Sequence, residues 1–403
     1  MKRRNFITKG LPGITGSLAL SHFGFKGAAK KKADEEKKHK LVYRTLGKTG
    51  IKLPIVSMGT VNATSETLVR TALDAGISHI ATAQYYARGR VEEFVGKIIK
   101  NYKRKNIILA TGVIPHPLDW KSGVFSNNTD IAKFEKDFEG SLKRMDVDYV
   151  DIFYLPYSAK KESVMFEPLM KAMEKIKKAG KARFLGVASH GFVPEAVRAA
   201  ADSGFYDMVM LAYNFQIRDI EERKKAVAYA ATKGMGIVAM KTITGESWVN
   251  TNKQTAVSNP KAALKWVLQN ENIHTSVPGF TNFDQLETDL SVMADLTLTP
   301  EEQKYLELAR LNYKDSLFCQ GCGSCLQQCK SAPDIPTLMR CYMYVYGYRD
   351  LAAAIRNLKS IKDKAIACAD CTSCKVKCTS GFNIKERVLD IIRLRDFPPE
   401  FFN

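Results

Sequence analysis

Residues 65–83 read Ser65-Glu66-Thr67-Leu68-Val69-Arg70-Thr71-Ala72-Leu73-Asp74-Ala75-Gly76-Ile77-Ser78-His79-Ile80-Ala81-Thr82-Ala83. Ser65 is a side-chain acceptor set just before an apolar-periodic run, Glu66 follows it, and Gly76 stands where a left-handed residue ends a helix. The spacing predicts a helix over 65–75. The short apolar run from Ile77 to Ala83 then predicts a buried strand.

The same unit recurs along the chain. Further strands are expected at Ile55–Met58, Ile107–Gly112, Tyr149–Leu155, Ala182–Ala188, Met208–Tyr213, Gly236–Met240 and Ile273–Pro278. Helical stretches separate them at Arg90–Asn101, Asp130–Met145, Phe166–Ala179, Pro194–Asp202, Glu221–Lys233 and Pro260–Asn270, and Gly180, Gly204 and Gly234 stop three of these. Strands that alternate with helices pair in parallel. Eight such units between residues 41 and 310 fit a closed α/β barrel of the (β/α)8 type. An open doubly wound sheet is the alternative, but no Gly-x-Gly-x-x-Gly follows the first strand. Chemistry in such a barrel sits at the C-terminal strand ends. Those are Gly59-Thr60, Thr82 to Tyr86, Gly112 to His116, Pro156-Tyr157, Ser189-His190, Tyr213-Asn214, Lys241-Thr242 and Gly279-Phe280.

Beyond the barrel, one cysteine spacing occurs twice. Cys319, Cys322, Cys325 and Cys329 are followed by Cys368, Cys371, Cys374 and Cys378, which accounts for eight of the nine thiols. Three thiolates at this spacing converge on three corners of an iron–sulfur cube, and the fourth of each run reaches the other cube. Zinc needs only four ligands in a tetrahedron, and disulfides require an oxidising compartment. The doubled pattern favours two [4Fe-4S] clusters. The proline that ends the usual ferredoxin run is replaced by Lys330 and Thr379. Met339 to Tyr348 and Asp350 to Leu358 read as helical, so residues 311–403 resemble the helical dicluster type of ferredoxin module. Cys341 stands outside the pattern and reads as a buried or spare thiol.

The chain starts Lys2-Arg3-Arg4-Asn5-Phe6-Ile7-Thr8-Lys9, followed by a mildly apolar stretch from Gly10 to Phe25. Residues 1–29 resemble a twin-arginine export signal, and 30–40 read as a basic linker. That route carries folded cargo, as an iron–sulfur protein loaded in the cytoplasm requires. The implied partner is the twin-arginine translocase, and the implied location is the periplasm or cell envelope. Cleavage near Ala28-Ala29 is poorly marked, and the apolar stretch is too short and polar for a membrane span. Residues 1–40 hold 11 Lys+Arg and 3 Asp+Glu, or +8 of the net +19. No nucleic-acid motif accompanies the basic charge, and a hydrophobic fraction of 45% is that of a globular protein.

Several segments resemble the aldo-keto reductases. They are Tyr43 to Gly50, Asp146 to Asp151, Gly186 to His190, Val238 to Thr242, Ala262 to Leu268 and Val277 to Asn282, in the family's order. The resemblance implies a tetrad of Asp, Tyr, Lys and His that protonates a carbonyl while a nicotinamide delivers hydride. The matched positions read Ala81, Tyr86, Gly112 and Pro156, so only the tyrosine is kept. Without the lysine Tyr86 loses the tuning that general acid catalysis relies on. It reads either as a hydrogen-bond donor to a carbonyl or as an aromatic lining beside Tyr85 and Tyr157. The nicotinamide pocket is thinned as well: Ala188-Ser189 replaces Ser-Asn, Met210 the glutamine, and Gly279 and Gln285 the basic residues that hold a 2′-phosphate. Ser189 and Lys241 remain where a cofactor would pass. His190 reads as a substitute acid or a neutral lining residue.

Three functional readings follow. The first is an exported iron–sulfur oxidoreductase exchanging electrons between a redox partner protein and a small organic substrate. A mediator of two-electron chemistry such as a flavin would suit it, although no flavin motif is visible. The second is a non-catalytic barrel that binds a ligand or partner as an electron relay. The third is an NAD(P)H-dependent carbonyl reductase with substitute catalytic residues.

Overall fold

The computed structural model describes residues 41–119, 124–243, 259–311, 316–329, 333–348, 350–361, 368, 371 and 374–398. The twin-arginine segment and the basic linker lie outside them. The chain enters as an antiparallel hairpin, β1 (Tyr43–Thr45) and β2 (Lys52–Pro54), with Tyr43 opposite Pro54. Leu46 and Leu53 are fully buried and join Ala110, Ile152, Tyr154, Met208 and Val238 in one apolar cluster. Lys48 N donates to Gly234 O at 2.8 Å, so the hairpin plugs the end of the barrel where the strands begin.

The barrel strands are β3 (Met58–Gly59), β4 (His79–Ala81), β5 (Ile108–Gly112), β8 (Val150–Pro156), β9 (Ala182–Ser189), β10 (Met208–Ala212), β11 (Gly236–Met240) and β12 (Thr275–Ser276). All neighbours pair in parallel, in chain order. A small antiparallel hairpin, β6 (Leu118–Asp119) and β7 (Val124–Phe125), lies between β5 and β8 in sequence. Closure comes from Ser276 N to Ile55 O at 2.9 Å, Ser57 N to Ser276 O at 2.8 Å and Gly59 N to Pro278 O at 2.8 Å. These bonds exclude the open sheet and meet the expectation of an eight-stranded barrel.

Each expected strand is present, but three are much shorter in the ladder than their apolar runs: Ile77–Ala83 yields only His79–Ala81, and the two that close the ring shrink as well. Ile55–Met58 yields only β3 and a bridge from Val56 to Ser276, and Ile273–Pro278 yields β12. Their remaining residues are buried by packing rather than by regular pairing.

The barrel helices are α1 (Glu66–Asp74), α2 (Arg90–Ile99), α3 (Ile131–Met145), α4 (Lys161–Val164), α5 (Glu167–Lys178), α6 (Val193–Ser203), α7 (Ile220–Thr232), α8 (Pro260–Leu268) and α9 (Phe283–Val292). Ser65 caps α1 by accepting from Leu68 N at 3.3 Å, as the opening stretch demands. Two buried acids tie the layers together. Glu92 accepts from Thr111 Oγ1 at 2.6 Å and Arg144 Nε at 2.7 Å, and Asp151 accepts from Leu109 N at 2.9 Å while pairing with Arg104 and Arg183.

After α10 (Pro300–Leu311), the C-terminal segment contributes α11 (Ile335–Tyr346), α12 (Leu351–Ser360) and α13 (Ile384–Ile392). α11 starts at Ile335, ahead of the expected Met339, because Asp334 caps it and Pro336 fits its first turn. Leu338, Cys341, Ala354, Leu358, Val388 and Ile391 bury a second core there, and Cys341 is fully buried in it. Met343 and Tyr348 pack instead against the barrel's main core, and Tyr344 packs against both. Among the described residues no helix is long and apolar enough to cross a membrane.

Candidate functional site

A cavity of about 330 Å³ opens where the barrel strands end. The four positions matched to the tetrad, Ala81, Tyr86, Gly112 and Pro156, all line it. So do His190, Lys241 and Thr82, all at expected strand ends, together with Tyr154 and Tyr348, which sequence reasoning did not single out. Tyr154 carries no motif. Its inward direction follows from strand alternation in β8 and from Gly186, where a Cβ would stand 2.9 Å from the tyrosine ring. Tyr348 lies far along the chain and reaches the cavity only because α11 docks on the barrel.

Tyr86 meets Tyr85 edge-on at 5.0 Å, and Tyr85 meets Tyr157 at 5.8 Å. Tyr157 stacks on His190 at 5.5 Å with 19° between the rings. Tyr85 and Tyr86 line the cavity, and Tyr157 lies behind them, outside the lining. Burial pushes the Tyr86 hydroxyl well above its ordinary range, with the neighbouring Tyr157 adding to it, so it remains protonated at neutral pH. Burial, and after it the charges of Lys241, Arg340 and Arg223, hold His190 well below its ordinary value. Its imidazole is neutral, and Nδ1 is buried with no hydrogen-bond partner among the described residues.

Ser189 is fully buried, and its hydroxyl donates to Gly191 O at 2.8 Å. It is not part of the cavity lining. Lys241 sits at the end of β11 with φ 58°, and its Nζ donates to Tyr348 OH at 3.1 Å. No carboxylate lines the cavity among the described residues. α9 begins at the rim: Asn282 Oδ1 accepts from Gln285 N at 2.9 Å, and Gln285 Oε1 accepts from Thr281 N at 2.6 Å.

The cysteine runs face each other. Gln328 donates through Nε2 to Lys377 O at 3.1 Å and accepts at Oε1 from Lys377 N at 2.7 Å. These two residues immediately precede Cys329 and Cys378. Cys322 Sγ lies 3.4 Å from Thr379 Oγ1, and Ser380 N donates to Cys378 Sγ at 3.3 Å. The Cys325 thiol is pushed up to about 12, by burial first and then by the charges of Cys319, Cys322 and Cys378. Cys319 is pushed up to about 11 by burial, opposed by a bond from Gly321 N, with Cys322 and Cys378 adding to the rise. Cys368 is raised by burial and then by Cys329, Cys374 and Cys371. The charge of Cys378 thus acts on Cys319 and Cys325 of the first run, and that of Cys329 acts on Cys368 of the second. Among the described residues no three Cys, His, Asp or Glu side chains close on a single metal ion.

The first cysteine run also touches the cavity's wall. Gly191, next to His190, lies so near Gly321 that a Cβ on it would stand 2.8 Å from the Gly321 carbonyl oxygen. Gly321 itself has φ 64°, in the left-handed region that favours glycine. Arg218 N donates to Gln320 Oε1 at 3.3 Å beside this contact.

The barrel has known counterparts. An aldo-keto reductase of Bacillus subtilis, YhdN, is 33% identical over 193 residues, which cover 45% of this chain and 56% of that protein. The L-glyceraldehyde 3-phosphate reductase of Escherichia coli O157:H7 is 24% identical over 328 residues, covering 67% of this chain and 92% of the enzyme. The holo form of aldo-keto reductase AKR11C1 from Bacillus halodurans superposes with a TM-score of 0.53 at 22% identity, covering 66% of this chain and 95% of that one. The profile of the Aldo/keto reductase family matches residues 52–261, and the chain belongs to that family.

Proposed function

We propose that this protein is an exported iron–sulfur oxidoreductase whose barrel cavity binds a small organic substrate and whose C-terminal segment holds two [4Fe-4S] clusters. The doubled cysteine spacing, with the two runs held against each other by Gln328 and Lys377, carries this reading. Cys319, Cys322, Cys325 and Cys378 would hold one cluster, and Cys368, Cys371, Cys374 and Cys329 the other, which is the exchange of last ligands that the doubled spacing calls for. The donor set suits the group. Thiols crowded together oppose one another's ionisation, and a cationic core reverses that balance. A single tetrahedral zinc needs sulfurs about 3.8 Å apart, whereas a core with an iron at each corner takes a wider set.

Bound clusters supply one-electron chemistry, exchanged with a redox partner protein. The chain's own residues bind and orient the substrate. Tyr86 keeps its proton and donates a hydrogen bond to a substrate oxygen. His190 is neutral, offers Nδ1 to the substrate, and stacks on Tyr157, which fixes its plane. The basic leader supports export through the twin-arginine translocase to the periplasm or cell envelope, where no replenished pool of reduced nicotinamide exists. The loss of the Asp, Lys and His positions fits that setting.

Membership of the family favours a second reading, an NAD(P)H-dependent carbonyl reductase using Tyr86 and His190. Thr281, Asn282 and Gln285 at the rim would then face the cofactor. Anaerobic purification followed by titration separates the two. The first reading expects about eight irons per chain, a visible absorbance that dithionite bleaches, and no response to NADH or NADPH. A colourless protein that oxidises NADPH in the presence of an aldehyde overturns it.

A further inference from the structure

We infer that Lys241 and Tyr348 form an oxyanion-binding pair, and that the barrel takes a small organic acid whose carboxylate docks on them. The inference rests on the proposed role of the cavity as a substrate site and names the class of substrate. Among the described residues Lys241 and His190 are the only titratable bases lining the cavity, and His190 is neutral. No acid among the described lining residues balances the lysine. A half-buried ammonium without a carboxylate partner selects an anion, because desolvation makes an unpaired charge costly.

The hydroxyl of Tyr348 completes the arrangement. It accepts from Lys241 Nζ at 3.1 Å, and the ammonium also lies 4.9 Å from the centre of the same ring. With a lone pair taken by the lysine, the phenol keeps its own proton to donate. Burial raises Tyr348 well above its ordinary range, so that proton is present at neutral pH. Lysine and tyrosine together offer an ammonium and a phenolic O–H to one acceptor, the kind of charge-assisted contact that a carboxylate takes best.

The rest of the cavity sets the body of the ligand. Ala81, Ala188, Met210, Met240 and Val277 give it an apolar wall. Thr82 Oγ1 and Tyr154 OH are buried, line the same space and have no hydrogen-bond partner among the described residues. Buried hydroxyls of this kind are normally satisfied by a ligand or water. The chemistry therefore describes an apolar, ring-sized acid bearing further oxygen, and a volume of about 330 Å³ holds one such molecule.

The test is calorimetry on the purified full chain with benzoate and its neutral isostere benzamide. Wild type is expected to bind benzoate at least tenfold more tightly than benzamide. Lys241→Met is expected to bring benzoate down to the level of benzamide, and Tyr348→Phe to weaken benzoate severalfold while leaving benzamide unchanged. Near-ultraviolet circular dichroism checks that both variants are folded. Equal binding of the two probes by wild type, no binding of either, or a preference for benzoate that survives in Lys241→Met overturns the inference. Iron analysis of the same samples keeps the two claims apart. Selective benzoate binding by a protein without iron leaves this site standing and removes the iron–sulfur reading.

Discussion

Replacing Asp289 by asparagine should stabilise the protein at neutral pH. Asp289 is a fully buried residue of α9, and neither carboxylate oxygen has a hydrogen-bond partner among the described residues. Burial drives its pKa well above the ordinary carboxylate value. The folded state therefore binds a proton that the unfolded state has released, and stability falls as pH rises from the unfolded pKa towards the folded one. Each pH unit in that window costs about 1.4 kcal/mol, so with an unfolded pKa near 3.9 the ceiling is about 4 kcal/mol at pH 7 and about 1 kcal/mol at pH 4.5. Asn keeps the shape and removes the titration, while its amide stays buried and takes back part of the gain. Urea unfolding followed by circular dichroism should show Asp289→Asn about 2–3 kcal/mol more stable than wild type at pH 7. The advantage should shrink to nothing by pH 4.5. An equal effect at both pH values, or a loss at pH 7, would refute the reasoning, since it would mean that the carboxylate is ionised and satisfied in solution.

His79 provides a titration of opposite sign. It is fully buried in β4, and burial, opposed by Asp151, lowers its pKa to about 4. Stability from keeping it neutral is complete above the unfolded pKa of about 6.5 and is lost as pH falls from there towards 4, by up to about 3 kcal/mol. In His79→Leu that decline should be absent from unfolding curves taken between pH 7 and 4. Arg144→Met strips the partner from the fully buried Glu92. Because Arg144 is 25% exposed, the loss should be near the low end for a broken buried pair, about 3 kcal/mol. The double variant with Glu92→Gln should be less damaged than the sum of the two single changes, as a thermodynamic cycle would measure.

The barrel was legible because its signals are local. Each strand is a short run rich in β-branched residues, and Ser65, Gly180, Gly204 and Gly234 mark helix ends by backbone requirements that any sequence must meet. The two strands that close the ring, and the one read over Ile77–Ala83, were read too long, since burial by packing and burial by pairing leave the same apolar run. The cavity was legible only in part. Tyr86, His190 and Lys241 lie at strand ends and were found by position. Ser189 was found in the same way, but its hydroxyl turns to Gly191 O, a choice that no spacing encodes. Tyr154, Thr82 and Tyr348 matter because of what surrounds them. Thr82 and Tyr154 are left without partners by the packing of the mouth, and Tyr348 arrives from a helix that begins more than fifty residues after the last barrel strand. The cysteines were found by spacing, while the stitch between Gln328 and Lys377 that crosses them was not, because glutamine and lysine carry no such signal.

The placement of Tyr348 also sets a sequence of events in time. A chain made from its N-terminus completes the ring of strands when Ser276 reaches Val56, while the residues that roof the cavity are still to be made. During that interval the cavity lacks the part of its lining that Gly347 and Tyr348 supply. That part is added when Met343, Tyr344 and Tyr348 settle on the barrel core. The last quarter of the chain is thus the finishing step of the first three.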